Sequence, residues 1–220
     1  MMDTFETIIG SEIIAIARGI CGEQLIKASC ALYEAGVRAF EVTFEQDTDP
    51  VRMYENIVRT SDNIVRLYEN LPKDAVIGAG TVLTVDQVCA AHSAGARFII
   101  SPNTDRTVIE KTKELGMLSI PGAMTPTEIV NAYSFGADIV KLFPAGDLGA
   151  GYFKSVRAPL KHIPLAAVAG ITAQNIGSFK KAGAVAYGIS SSLYKTDAIN
   201  KGDYESVRLA AEAFYKALRE

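Results

Sequence analysis

The chain has 220 residues, 49% hydrophobic and 21% charged, enough apolar material for a sizeable core and enough to exclude a disordered chain. Twenty-two Lys and Arg against 25 Asp and Glu leave a net charge of −3, with no basic stripe to neutralise a phosphate backbone, so nucleic acid is excluded as an expected partner. No apolar run approaches the ~20 residues that cross a bilayer, and residues 1–10 carry Asp3 and Glu6 where a signal peptide carries positive charge. A cytoplasmic protein with no membrane contact is expected.

In chain order, residues 13–18 form an apolar run that reads as a strand closed by Arg18. An amphipathic stretch over 23–35 predicts a helix, and Gly36 stops it before a second strand over 38–44. The pattern then repeats. Helical spacing over 50–70, 85–94, 105–115 and 127–135 alternates with strands over 75–80, 97–101, 117–120 and 138–143, and two more strands follow over 165–169 and 184–189. Five junctions share one phrase, a helix followed by glycine and a small or aliphatic residue leading into a strand, at Gly36, Gly95, Gly116, Gly136 and Gly183. The strands are continuously apolar, as strands buried on both faces of a parallel sheet are.

Eight strand–helix units at about 27 residues each, with no Pro-, Gly- or Ser-rich linker between them, predict an α/β fold: a single-domain (β/α)8 TIM barrel over residues 1–220. The competitor is an open doubly wound sheet. Its dinucleotide-binding form needs G-x-G-x-x-G, and here Leu83 stands at the third glycine of the stretch from Gly78.

Cys21, Cys30 and Cys89 are odd in number and widely spaced, which predicts reduced core thiols. His92 and His162 lie apart from any cysteine or carboxylate cluster, so no metal is expected.

A barrel carries its active site at the C-terminal ends of its strands, so polar residues there are read first. Lys141 lies in the apolar run DIVKLF. A buried ammonium must be paired or lose its proton more readily, and a desolvated lysine is a nucleophile that condenses with carbonyls. The alternative is a structural lysine snorkelling from the strand end. Glu41, inside AFEVTF, is a second charge in an apolar strand. With Glu41 on the second strand and Lys141 on the sixth, both even-numbered, the two can share one interior layer, as an acid/base beside a reactive amine or as a buried ion pair. Thr81 offers a hydroxyl for a carboxylate, or else caps the next helix as Thr84 can. Gly170 and Ser190 follow the last two strands, where barrels often bind phosphate, although serine runs also cap helices.

Taken together, EVT at Glu41, GAGTVL at Gly78, ISPNT at Ile100, PGAMTPTE at Pro121 and KLFPA at Lys141 occur in the order found in a known family. The chain resembles the 2-keto-3-deoxy-6-phosphogluconate / 2-keto-4-hydroxyglutarate aldolases, which are class I aldolases. The resemblance implies a homotrimeric barrel without cofactor in which Lys141 forms a Schiff base with a 2-keto acid and Glu41 is the acid/base. It also implies that Thr81 helps to hold the carboxylate, that Arg18 reaches the substrate, and that Phe143, Pro102 and Pro121 line the pocket. The products would be pyruvate and an aldehyde.

Three positions depart from the family's pattern. Glu45 replaces an arginine four residues after the acid/base, Ala169 replaces a glycine before Gly170, and Ile189 replaces a glycine before Ser190. Side chains at glycine positions obstruct close approach of an oxyanion to the backbone. The far end of the substrate is therefore expected to differ from that of 2-keto-3-deoxy-6-phosphogluconate, being unphosphorylated or held in another geometry. A phosphate-binding synthase or isomerase resembling thiamine-phosphate synthase, and a non-catalytic sugar-acid-binding barrel, are the alternatives.

Overall fold

The computed structural model describes residues 3–220; Met1 and Met2, included in the expected single domain, lie outside the described residues. The strands are β1 (Ile13–Ala17), β2 (Ala39–Thr43), β3 (Val76–Gly80), β4 (Phe98–Ile100), β5 (Leu118–Ile120), β6 (Gly122–Ala123), β7 (Val140–Leu142), β8 (Leu165–Val168) and β9 (Ala186–Ile189). All pair in parallel, in the order β5-β4-β3-β2-β1-β9-β8-β7-β6. β5 matches the predicted fifth strand over 117–120, and β6 continues it beyond the predicted end, parted from it at Pro121, which has no amide hydrogen for the ladder. That strand joins both ends of the sheet order and closes an eight-position TIM-type barrel.

The helices between strands are α2 (Gly22–Glu34), α3 (Pro50–Asn70), α4 (Val85–Ser93), α5 (Arg106–Glu114), α6 (Pro126–Ser134), α7 (Ala145–Arg157) and α8 (Ile176–Lys181). Short α9 (Thr196–Asn200) and long α10 (Tyr204–Arg219) complete the outer layer. Thr84 does cap α4, accepting from Gln87 N, and Thr125 with Glu128 forms a capping box on α6. The five junction glycines all have positive φ, from 72° to 112°, which is why helices stop there.

One helix precedes the first strand–helix unit and was not expected. α1 (Thr4–Ser11) is capped by Asp3 and carries Ile8 into the interior of the barrel, sealing its lower end. The strands look uniformly apolar because each has two buried faces. Ile14, Ile16, Val76, Phe98, Ile120 and Val168 pack inside the ring, while Ile13, Phe40, Val42, Ile77 and Leu142 pack outward under the helices. The three cysteines are free, but they are not core thiols: Cys21 is exposed at the start of α2, and Cys30 and Cys89 are half-buried on the helical layer. Among the described residues no helix is long and apolar enough to cross a membrane.

Candidate active site

Strand parity decides which side chains reach the interior. On β2 the inward positions carry Ala39 and then Glu41; on β7 the inward position is Lys141, flanked by outward Val140 and Leu142. Lys141 is held in register by Gly122 on one side and Ala166 on the other, and its amide donates to Pro121 O at 2.9 Å. These small neighbours leave room above the apolar floor for long polar side chains.

Glu41 is 2% exposed and Lys141 6% exposed. Both line a cavity of about 470 Å³ at the C-terminal ends of the strands, together with Arg18, Phe143, Gly170 and Ser190. The Lys141 Nζ stands 4.6 Å from the centre of the Phe143 ring, whose face attracts a cation. None of the ion pairs among the described residues includes Glu41 or Lys141. Glu41 Oε2 is buried without a hydrogen-bond partner. A buried polar atom left in this way is costly, and such atoms cluster where a ligand or water completes the site.

Burial pushes the Glu41 carboxyl up to about 7, against the pull of Lys141 and then Arg18 in the other direction. Burial likewise lowers the Lys141 pKa; Glu41 opposes that shift and Arg18 adds to it. A proton acceptor near neutrality and an amine that loses its proton more readily than usual thus share one enclosed space, the combination that general acid–base and amine chemistry require.

The other expected site residues are placed as follows. Arg18 Nη2 donates to Thr81 Oγ1 at 3.5 Å, so Thr81 stands beside the cavity rather than among its lining residues. Thr81 has a φ of 57°, an uncommon conformation for a branched residue. Gln46 Nε2 donates to its carbonyl at 2.7 Å, and the buried Gln87 donates to Gln46 Oε1 at 3.2 Å while accepting from Leu83 N. Sequence reading missed this pair of glutamines; neither lies in an apolar strand, where a polar residue stands out. Pro102 and Pro121 are also outside the cavity lining. Pro121 contributes a carbonyl to the Lys141 amide, and a β-carbon at Gly122 would stand 2.3 Å from the carbonyl oxygen of Pro102, so both prolines shape the strand beside the site. Ser190 donates to Ile16 O at 2.9 Å and caps no helix.

The three departures fare differently. Glu45 is engaged by Arg59 at 2.7 Å, on the outer side of the loop after β2. Ile189 packs in the core cluster under the helices, and it is also among the residues that line the cavity. Ala169 lines the cavity and has a φ of 72°, where glycine is the unstrained choice. Among the described residues no three His, Cys, Asp or Glu side chains gather closely enough to hold a metal ion.

Comparison with known proteins assigns this architecture. The model of the family described as "KDPG and KHG aldolase" matches residues 7–210. The chain belongs to the KDPG and KHG aldolase family. It is 35% identical over 207 residues to the probable 2-dehydro-3-deoxy-6-phosphogalactonate aldolase of Rhizobium meliloti (strain 1021), covering 94% of this chain and 92% of that one. It is 32% identical over 209 residues to the 2-dehydro-3-deoxy-6-phosphogalactonate aldolase of Escherichia coli (strain K12), covering 94% and 95%. A solved structure described as native KDPGal superposes with a TM-score of 0.80 at 33% identity over 94% of both chains. This member of the family is an aldolase, and hence a lyase.

Proposed function

We propose that the protein cleaves a 2-keto-3-deoxy-4-hydroxy sugar acid to pyruvate and an aldehyde through a Schiff base on Lys141, in carbohydrate metabolism. The observation that carries this reading is the shared enclosure of Lys141 and Glu41, two buried ionisable groups that line one cavity without an ion pair. An amine freed of its proton adds to the C2 ketone to form a carbinolamine, and loss of water gives an iminium ion. The iminium withdraws electrons from the C3–C4 bond. Glu41, directly or through a water, takes the proton of the C4 hydroxyl; the C3–C4 bond breaks, and its electrons pass into the enamine of pyruvate. The aldehyde departs, the enamine is protonated at C3, and water releases pyruvate and returns the Lys141 amine.

The carboxylate of the substrate is assigned to Arg18 and Thr81, joined at the rim, and the bound chain to the face of Phe143. Pro102 and Pro121 then serve as the backing of the pocket.

The far end is assigned to Gly170 and Ser190, next to Ser191 and Ser192 in the cavity lining. A 6-phosphate suits this end better than the sequence alone suggested, because Glu45 is occupied by Arg59. The names of the relatives, which refer to 6-phosphogalactonate, favour the same end group. Ala169 and Ile189, at positions where the family's pattern has glycine, both line it. Pyruvate release from 2-keto-3-deoxy-6-phosphogalactonate, its C4 epimer, and the corresponding unphosphorylated acids tests the proposal. Cleavage with a preference for the phosphorylated acids is expected. Release from none of them would overturn the activity, and a preference for unphosphorylated acids would overturn the end-group assignment. The resemblance carries a cytoplasmic homotrimer into this proposal, for which sedimentation of the purified protein at three times the mass of one chain is the test.

A further inference from the structure

A carboxyl group that transfers protons must stand in one place, yet Glu41 Oε2 has no hydrogen-bond partner and Glu41 enters no ion pair among the described residues. Shape holds it instead. β2 and β3 pair with Glu41 opposite Gly78 and Thr43 opposite Gly80. The Glu41 side chain runs up the inner wall and lies across Gly80. A β-carbon at Gly80 would stand 1.6 Å from Oε1, 2.3 Å from the carboxyl carbon and 2.6 Å from Cγ, far inside non-bonded contact. The carboxyl fills the volume that a side chain at position 80 would take. Gly80 is not among the residues of positive φ, so its backbone accommodates any residue and only this volume calls for glycine.

We infer that Gly80 is a positioning residue, which fixes the Glu41 carboxyl relative to the Lys141 amine by leaving open the slot in which that carboxyl lies. The inference rests on the acid/base role proposed for Glu41. The slot is cut by register: only the inward position one pleat above Gly78 meets the end of the Glu41 side chain. The charged groups that face the carboxyl are Lys141 on β7 and Arg18 beyond β1.

Gly80→Ala tests the inference. The obstructing atoms belong to the far end of a flexible side chain, so the carboxyl swings out of the slot and the strand is kept. Displacement of a reacting group by an ångström costs on the order of 100-fold in rate, so kcat for pyruvate release should fall about 100-fold while KM moves less than about threefold. The acid limb of the kcat profile should also shift to lower pH, because the displaced carboxyl is better hydrated; general loss of folded protein would not move that limb.

Two measurements keep the test decisive. Glu41→Ala removes every side-chain atom that a β-carbon at position 80 would meet most closely, Oε1, the carboxyl carbon and Cγ. The Gly80→Ala, Glu41→Ala double variant should therefore lose less thermal stability than the two single losses combined, and should fold even if Gly80→Ala alone does not. Titration of the Glu41 carboxyl carbon by NMR, in wild type and Gly80→Ala, reads the slot without any turnover. Should wild type release no pyruvate, the activity reading falls, yet a titration moved by Gly80→Ala still upholds the slot. An unmoved titration or acid limb, a kcat within twofold of wild type, or thermal losses that simply add would overturn the inference.

Discussion

Glu41 and Lys141 approach one cavity from β2 and β7, both almost wholly buried, and no ion pair forms between them. In water an ammonium and a carboxylate would each be solvated, and in a structural pair they would touch. Here neither group has that relief, so each charged form weakens the fold while the gap between the side chains stays open to a reacting molecule.

The first consequence concerns pH and stability. The Glu41 pKa is raised from 4.5 to about 7, so the native state holds a proton that the unfolded chain has released. The associated stabilisation is fully present below pH 4.5 and is lost as pH rises to about 7, a change of about 3 kcal/mol at ~1.4 kcal/mol per unit. Glu41→Gln lacks this loss. Thermal melts of the two proteins should diverge in favour of Glu41→Gln between pH 4.5 and 8, and parallel curves would contradict the assigned shift.

Lys141→Met replaces a desolvated amine with an apolar chain of similar length. Its stability at neutral pH should equal or exceed that of wild type, by up to about 2 kcal/mol, while pyruvate release falls to background. A loss of more than about 2 kcal/mol in urea unfolding would show that the lysine holds the barrel together, as the structural reading of this residue requires.

Below the site, Phe98 lies against the bare α-carbon of Gly78, where a β-carbon would come within 2.3 Å of the ring. The ring is fully buried and part of the inner core. Phe98→Ala should cost about 3 to 5 kcal/mol in chemical unfolding, and Gly78→Ala about 1 to 3 kcal/mol by overpacking. A smaller cost for Phe98→Ala than for an exposed position such as Tyr54→Ala would contradict the packing described.

Much of this was legible in the chain because the relevant signals are local. A glycine of positive φ must end a helix, so the five junctions marked the strand starts. A lysine and a glutamate inside apolar strands stood out against their neighbours, and strand order placed both on the interior. What escaped depends on contacts between distant segments. The α1 plug is short, and Phe5, Ile8 and Ile9 do not reveal that they close a barrel rather than begin a strand. The packing of Ile189 under the helices follows from the parity of β9, and the engagement of Glu45 depends on Arg59 returning along α3. The fit of Glu41 over Gly80 needs the β2–β3 register, which neither strand states by itself.

The proposed cleavage depends on covalent capture of a ketone by the Lys141 amine. Incubating the protein with pyruvate and borohydride, then weighing the protein and its peptides, tests it most directly. One reduced pyruvyl adduct per chain is expected, located on Lys141 and absent from Lys141→Met. An unmodified protein, or an adduct carried by any other lysine, would contradict it.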